Sequence, residues 1–310
     1  MASVEIVIIK DQDDGMRLNR WFLKYYPDLP LSRLQKLLRT KQIKVDGQKG
    51  TTSTKLQAGQ SLRIPPLRDE KTLEKRDKIS LKDKNFITSL VIYKDKNIIV
   101  LNKPSGLAVQ GGTNTKHHID LMLPALSFDK EETPKLVHRI DKDTSGILVL
   151  ARDRKNAELL TKAFKDKDIS KTYLAIVQGV PSQKEMIINA PLLKIGEKMV
   201  VTPDGQKSVS EMRVIDNLSD KYALVELHPK TGRTHQLRAH MCYIKTPIMG
   251  DDKYFITKKQ RINDIANKLY LHAYKIDLSN IYGKKLIIKA NLPDYFIEAL
   301  QTLGLEFKGI

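Results

Sequence analysis

The residues able to do chemistry in this chain are concentrated in three short stretches. The densest is Leu136–Asp153, LVHRIDKDTSGILVLARD. His138-Arg139-Ile140-Asp141 leads through a polar turn, Lys142–Gly146, into Ile147–Leu150, an apolar run that predicts a buried strand. A carboxylate between an arginine and a glycine-containing turn, beside a buried strand, sits on a rigid element, as a nucleophile or general base must. An isolated turn aspartate more often bonds its own backbone, and Asp143, followed by Thr144 and Ser145, fits that role better than Asp141. The second stretch is Leu227–Met241, LHPKTGRTHQLRAHM. Thr231-Gly232 predicts a turn, and Thr234 the N-cap of a helix through Gln236, Arg238 and Met241. Arg233 and Arg238 bracket that helix start, where free backbone N–H groups favour a phosphate or carboxylate. An arginine merely paired with a surface acid would contribute little. The third stretch, Ser170–Gly179 (SKTYLAIVQG), predicts a strand with Tyr173 near its start. A tyrosine there is ordinarily a packing residue.

Other chemistries lack their residues. His117 and His118 are adjacent, a poor geometry for ligating one metal, and no Cys or carboxylate completes a zinc spacing around His228, His235 and His240. Ser145 lies in T-S-G rather than in a nucleophile elbow, and no glycine-rich phosphate cradle is present. The expectation is no metal and no nucleotide cofactor. The single cysteine, Cys242, excludes an intrachain disulfide and suits a reducing, cytoplasmic compartment. It is expected only to pack.

The elements that must position these residues follow from patterning. A length of 310 residues predicts about two domains. The 41% hydrophobic content is enough for packed cores. With 54 Lys+Arg against 36 Asp+Glu, the formal charge is +18, which points to a polyanionic partner, nucleic acid first. A lysine-rich solvated surface is the plainer alternative. No secretory signal or membrane-length apolar run is visible.

Residues 1–67 read as a small domain. VEIVII predicts a strand, and Leu18, Trp21, Phe22 and Tyr25 recur at helical spacing until Pro27 and Pro30. Ser32 is the expected N-cap of a second helix, with Leu34, Leu37 and Leu38 as its apolar face and Arg33, Lys36 and Arg39 on others. Ile43 and Val45 alternate with Lys44 before an Asp46-Gly47 turn. Residues 68–87 alternate charges of both signs and are expected to be a linker. Residues 88–310 alternate β-rich runs with helical patterns.

LSRLQKLLRTKQIKVDGQKG with KLQAGQSLRIPP resembles the S4 RNA-binding module. The resemblance implies RNA docking through the basic helix and its flank: Arg33, Lys36, Arg39, Lys41 and Lys44. Further on, HRIDKDTSG, KTYLAIVQG and KTGRTHQLRAH, in that order, resemble the three signature blocks of the RluA family of pseudouridine synthases. LNKPSGLAVQGG (Leu101–Gly112), GDDKY (Gly250–Tyr254), LHA (Leu271–Ala273) and NLPDYF (Asn291–Phe296) extend the match over residues 88–310. RIPPLR and AVQGG are most similar to the RluC-type enzymes of large-subunit (23S) ribosomal RNA. Ile140 stands where Leu is common, and Gln110 where His is common.

The resemblance implies an α+β chain. An S4-like RNA-binding module would precede a catalytic domain with a mainly antiparallel mixed sheet and flanking helices. It implies cofactor-free isomerisation: the bond from the sugar to N1 of uracil is cut, the base turns, and C5 is joined instead. Asp141 matches the catalytic aspartate, Tyr173 the active-site tyrosine and Arg238 the arginine that pairs with the aspartate. Arg139 matches a residue that can occupy the space left by a flipped uridine, and Arg233 is expected on the RNA side. Pairing with Arg238, bidentate where the fork allows, should favour the ionised aspartate. RluD-type or transfer-RNA specificity, or a non-catalytic RNA-binding role in ribosome assembly, are the alternatives. The expected partner is ribosomal RNA or its precursor, with no membrane and no small-molecule cofactor, and a monomer is the default.

Overall fold

Helical periodicity and strand alternation sort the chain into two units, Met1–Lys78 and Ile79–Ile310, each with its own hydrophobic core. The computed structural model describes residues 4–27, 29–67, 79–111, 117–255 and 265–309.

In the first unit, helices α1 (Leu18–Tyr25) and α2 (Leu31–Arg39) bury Leu18, Trp21 and Phe22 against Leu34, Leu37 and Leu38. Strands β1 (Glu5–Ile8), β2 (Lys44–Val45), β3 (Gln48–Lys49) and β4 (Ser61–Ile64) form a sheet in the order β1-β4-β2-β3. Asp46 and Gly47 both have positive φ, 47° and 76°, the primed turn that suits a two-residue hairpin between β2 and β3. Ser32 does not cap α2. Pro30 occupies that position, its ring setting φ to −59°, and the helix starts one residue before Ser32.

The expected linker over 68–87 needs correction at its end. Residues 68–78 lie outside the described residues, but α3 (Leu81–Ser89) is a helix of the second unit, its N-cap Ser80 accepting the Asp83 N–H at 3.0 Å. The dense charge hid its short apolar face: Ile87 is buried, and Phe86 and Leu90 pack beside it.

The second unit is built on a ten-stranded sheet. Its strands are β5 (Val91–Lys94), β6 (Ile98–Lys103), β7 (Lys135–Leu136), β8 (Ser145–Ala151), β9 (Ser170–Gln178), β10 (Glu185–Asn189), β13 (Val209–Leu218), β14 (Tyr222–Pro229), β15 (Leu271–Asp277) and β16 (Ile287–Lys289). β11 (Leu192–Ile195) and β12 (Lys198–Val201) form a separate hairpin. The main order is β10-β13-β14-β9-β15-β8-β6-β5, with β16 against β15 and β7 against β8. Only β8 with β15 pairs parallel among the described strands. The sheet is therefore mixed and mainly antiparallel, and the unit is α+β.

Helices cover both faces. The others of this unit are α4 (Ile119–Met122), α5 (Arg154–Asp166), α6 (Gln236–Tyr243), α7 (Ser279–Tyr282) and α8 (Asp294–Thr302). Along β8, Ile147 and Val149 pack with Leu160 and Ala163 of α5, whereas Leu148 and Leu150 pack with Ile87 and Met122. Each such buried aliphatic side chain contributes about 1.5–3 kcal/mol. On β9, Ala175 and Val177 meet Leu237 and Met241 of α6, while Leu174 and Ile176 meet Phe296 of α8. Tyr173 packs against both the α5 and the α6 clusters, so it marks where they meet.

His272 on β15 ties this centre together. It is fully buried, with Nε2 3.3 Å from the Ala290 carbonyl and Nδ1 2.9 Å from Ser145 Oγ. The carbonyl requires an N–H, so Nδ1 accepts from the Ser145 hydroxyl. Burial holds the pKa down to about 4. A histidine neutral in the fold and ordinary when unfolded is a proton acceptor in the unfolded state alone. Stability should therefore fall as pH drops from about 6.5 to 4, by about 1.4 kcal/mol per pH unit for this group. Urea unfolding across that window should show a flatter pH dependence for His272→Gln than for the wild type. Equal slopes would remove His272 as the titrating group.

Candidate active site

On the sheet face between α5 and α6 lies a cleft of about 310 Å³ whose lining includes Arg139, Asp141, Tyr173, Arg233, His235 and Arg238. Asp141 sits in the loop between β7 and β8, half-buried, next to buried Ile140 and exposed Arg139. Three contacts hold that loop. β7, before the loop, pairs with Leu150 and Ala151, and β15 pairs with Ser145 and Gly146, just after it. The Val149 N–H between them donates to Nε2 of His138 at 2.8 Å, and the His138 ring stacks on Phe164 with centroids 4.3 Å apart. Desolvation, with a smaller contribution from Lys171, takes the His138 pKa down to about 3, as its role as acceptor requires.

On the C-terminal side, the fully buried Lys103 donates from Nζ to the carbonyls of Pro104, Leu107 and Lys142 at 3.0, 2.8 and 2.8 Å. Burial lowers its pKa to about 7 against the opposing charges of Asp143 and Asp141. Asp143 itself is exposed, and its carbonyl accepts from Ser105 Oγ at 2.8 Å. The third contact needs a glycine. Gly146 has φ +102°, and a Cβ there would lie 2.3 Å from the Ala273 carbonyl oxygen, closing the approach of β8 to β15.

Arg238 reaches Asp141 from α6, its Nη1 donating to Oδ2 at 3.4 Å. The expected bidentate pairing goes elsewhere. Nε and Nη2 both donate to the carboxylate of Asp251 at 2.7 Å, and that side chain is fully buried. Asp251 also accepts the N–H groups of Lys253 and Tyr254 at 2.8 and 3.0 Å. It is placed by Gly250, φ +73°, where a Cβ would lie 1.7 Å from the Lys268 carbonyl oxygen. Burial opposes the charge on Arg238, but the Asp251 and Asp141 carboxylates outweigh it and hold its pKa above the ordinary value. Asp141 Oδ1 has no hydrogen-bond partner among the described residues.

The start of α6 also differs from expectation. Thr234 does not cap it. His235 holds the N-cap position in a left-handed conformation, φ 51°, without a side-chain cap. Gln236 secures the preceding turn instead. Its Oε1 accepts from Thr231 Oγ1 at 2.6 Å and Arg233 N at 3.1 Å, and its Nε2 donates to Val209 O and Ser210 Oγ, both at 2.9 Å. A buried glutamine with all these partners satisfied fixes the loop. Arg233 remains exposed, with Nε donating to the Lys207 carbonyl at 3.3 Å.

Tyr173 is half-buried on β9. Burial, then the charge on Asp141, raises its pKa, so the phenol keeps its proton. The histidines weighed as zinc ligands have separate partners: His228 meets Glu226, His235 meets Tyr254, and His240 meets Ser210 and the Ala190 carbonyl. Among the described residues no three His, Cys, Asp or Glu are grouped to hold a metal.

Of the residues singled out in the sequence, Asp141, Tyr173, Arg238, Arg139 and Arg233 thus share one cleft. Arg33, Lys36 and Arg39 on α2, with Lys41 and Lys44 beyond it, belong to the other unit and are not among its lining residues. Lys36, Arg39 and Lys41 are exposed, and Arg33 and Lys44 half-buried. The contributions of Asp251, His235, His138 and Lys103 emerge only in the fold, though each lies in a run that the sequence marks out.

Residues 97–243 match the model of the RNA pseudouridylate synthases. The chain is 36% identical to the ribosomal large subunit pseudouridine synthase C of Rickettsia conorii over 92% of its length and 96% of that protein. The chain belongs to the RNA pseudouridylate synthase family. It is also 35% identical to a mitochondrial RNA pseudouridine synthase 4 of Arabidopsis thaliana, over 88% of this chain and 73% of that one. The solved structure of human RNA pseudouridylate synthase domain containing 4 superposes with a TM-score of 0.65 at 29% identity, covering 74% of this chain and 99% of the human one. The synthase is an isomerase acting on RNA, and no helix among its described residues is long and apolar enough to cross a membrane.

Proposed function

We propose that this synthase converts uridines of large-subunit ribosomal RNA to pseudouridine, with Asp141 as the reacting carboxylate. The observation that carries the reading is the setting of Asp141. Arg238 donates to one oxygen, the other has no hydrogen-bond partner among the described residues, and Asp141 and Tyr173 line the same cleft. Relatives named for the large ribosomal subunit align with nearly the whole chain, which supports the substrate.

Uridine and pseudouridine are isomers, so the reaction needs no net oxidant, reductant or group donor. The bond from C1′ to N1 breaks, the uracil turns, C5 bonds to C1′, the C5 proton is released, and N1 takes up a proton. The protonated Tyr173 offers a flat face for the uracil. Arg139, exposed beside Asp141, fills the space that the flipped nucleotide leaves. Flipping costs a few kcal/mol, which phosphate contacts must offset. The first unit supplies some of them as an S4-like module, through Arg33, Lys36, Arg39, Lys41 and Lys44. The synthase works as a cytoplasmic monomer.

Tritium release from large-subunit RNA carrying 5-³H-uridine tests the chemistry. The wild type should release tritium and Asp141→Asn should not. Equal release by both would remove Asp141 from the reaction. Release only from transfer RNA would move the substrate, and tight binding without release from any RNA would favour an assembly factor. The module is tested separately. Lys36→Ala with Arg39→Ala should weaken RNA binding and reduce the slope of log K against log salt by roughly one for each phosphate no longer neutralised. An unchanged slope would take α2 off the RNA.

A further inference from the structure

We propose that His235 is a further catalytic group of the synthase: a neutral imidazole whose Nε2–H donates a hydrogen bond to the uracil as its bond to the sugar breaks. This rests on Asp141 being the reacting carboxylate, and it concerns what faces that carboxylate across the cleft.

Three independent features place the donor. First, the backbone. His235 adopts φ 51° and ψ 20° at the head of α6, a conformation that side-chain-bearing residues seldom take, and its ring lines the cleft. Second, the distance. Nε2 is 3.9 Å from Asp141 Oδ2, too far for a hydrogen bond, and no other acceptor among the described residues reaches it. Third, the tautomer. Nδ1 lies 3.0 Å from the hydroxyl of Tyr254, whose oxygen also accepts the Met199 N–H at 2.7 Å. The Tyr254 O–H has no acceptor but Nδ1 among the described residues, so it gives its proton to Nδ1, and the imidazole proton is left on Nε2.

The surroundings keep the arrangement intact. Tyr254 is buried, its phenol pushed up by that burial, so it retains the proton it donates. The Arg238 guanidinium lies over its ring, 5.3 Å from the centroid. Desolvation lowers the pKa of His235. Asp141 opposes this, Arg238 and Lys253 reinforce it, and Asp251 opposes it more weakly. The contrast with His240 on the same helix is informative, since both of its ring nitrogens are engaged by protein groups.

The chemistry balances without a proton leaving His235. When C1′–N1 breaks, the bonding pair stays on the uracil and its charge spreads onto the carbonyl oxygens O2 and O4. A donor aimed where that charge appears lowers the barrier without reorganising. His235 is not the base for the C5 proton, because Nδ1 is occupied and Nε2 is already protonated. That proton goes to solvent, and N1 takes one up from solvent in exchange.

The test uses the full-length protein and 5-³H-uridine RNA in single-turnover reactions, with RNA affinity measured alongside. His235→Ala should slow the bound reaction about 100-fold with little change in affinity, and His235→Gln, which restores an N–H, should recover roughly tenfold of that. Rates within about threefold of wild type, a loss confined to affinity, or equal losses in Ala and Gln would overturn the proposal. Should His235→Ala fail to fold, Tyr254→Phe keeps the ring and removes only the tautomer control. It should slow the step several-fold, and an unchanged rate would count against the relay. Nitrogen-15 spectra of the free protein are independent of substrate choice. They should show the His235 proton on Nε2 in the wild type and divided between the nitrogens in Tyr254→Phe, whereas a wild-type proton on Nδ1 would refute the proposal. Failure of the wild type to release tritium from ribosomal RNA would sink the substrate assignment instead, and these spectra would still decide the tautomer.

Discussion

The buried pair of Arg238 with Asp251 is the interaction on which the site depends. A guanidinium fork can hold both oxygens of one carboxylate. Here the guanidinium fork is committed to Asp251 through two bonds of 2.7 Å, leaving one N–H, at 3.4 Å, for Asp141. The pair is desolvated, so removing either member would strand a buried charge at about 3–5 kcal/mol. Asp251 is in turn held by two backbone N–H groups and by the turn at Gly250. Orientation is thus built from the α6 side inward, and Arg238 contacts Asp141 through one oxygen alone.

The other half of the site is built from the sheet. β8 is buried along its whole length, and the loop before it is fixed by His138 on Val149 and by Lys103 on three carbonyls. These devices use polar groups inside the fold, where a satisfied network rigidifies and an unsatisfied one is costly. The cleft opens between α5 and α6, and Tyr173 stands where their two packed clusters meet. The same packing that stabilises the domain therefore sets the separation of Asp141, Tyr173 and Arg238.

Much of this was legible in the sequence wherever one local signal dominated. Ile147–Leu150 announced a buried strand, and the spacing of Leu18, Trp21 and Phe22 a helix. Asp141, Tyr173 and Arg238 came from three motif-bearing runs, and they do converge. What was not legible depended on competition between neighbours. Ser32 and Thr234 both have capping side chains, yet Pro30 and His235 hold those positions because backbone geometry set by residues nearby decides the cap. The helix Leu81–Ser89 was lost in alternating charge because its buried face is so small. Asp251 lies in the GDDKY run, but two adjacent aspartates look alike until Gly250 turns one beneath Arg238. The sequence offers His235 only as a metal ligand to be weighed, because its partner, Tyr254, lies in a different run.

The most direct measurement of the central claim is a double-mutant cycle between Arg238 and Asp251, read as the single-turnover rate on bound RNA. If Asp251 acts by aiming Arg238 at Asp141, Asp251→Asn and Arg238→Lys will each slow the reaction, and the double variant will be no slower than the worse single one. Losses that multiply across the cycle, in variants whose folding is intact, would show that the two residues act separately and would contradict the account.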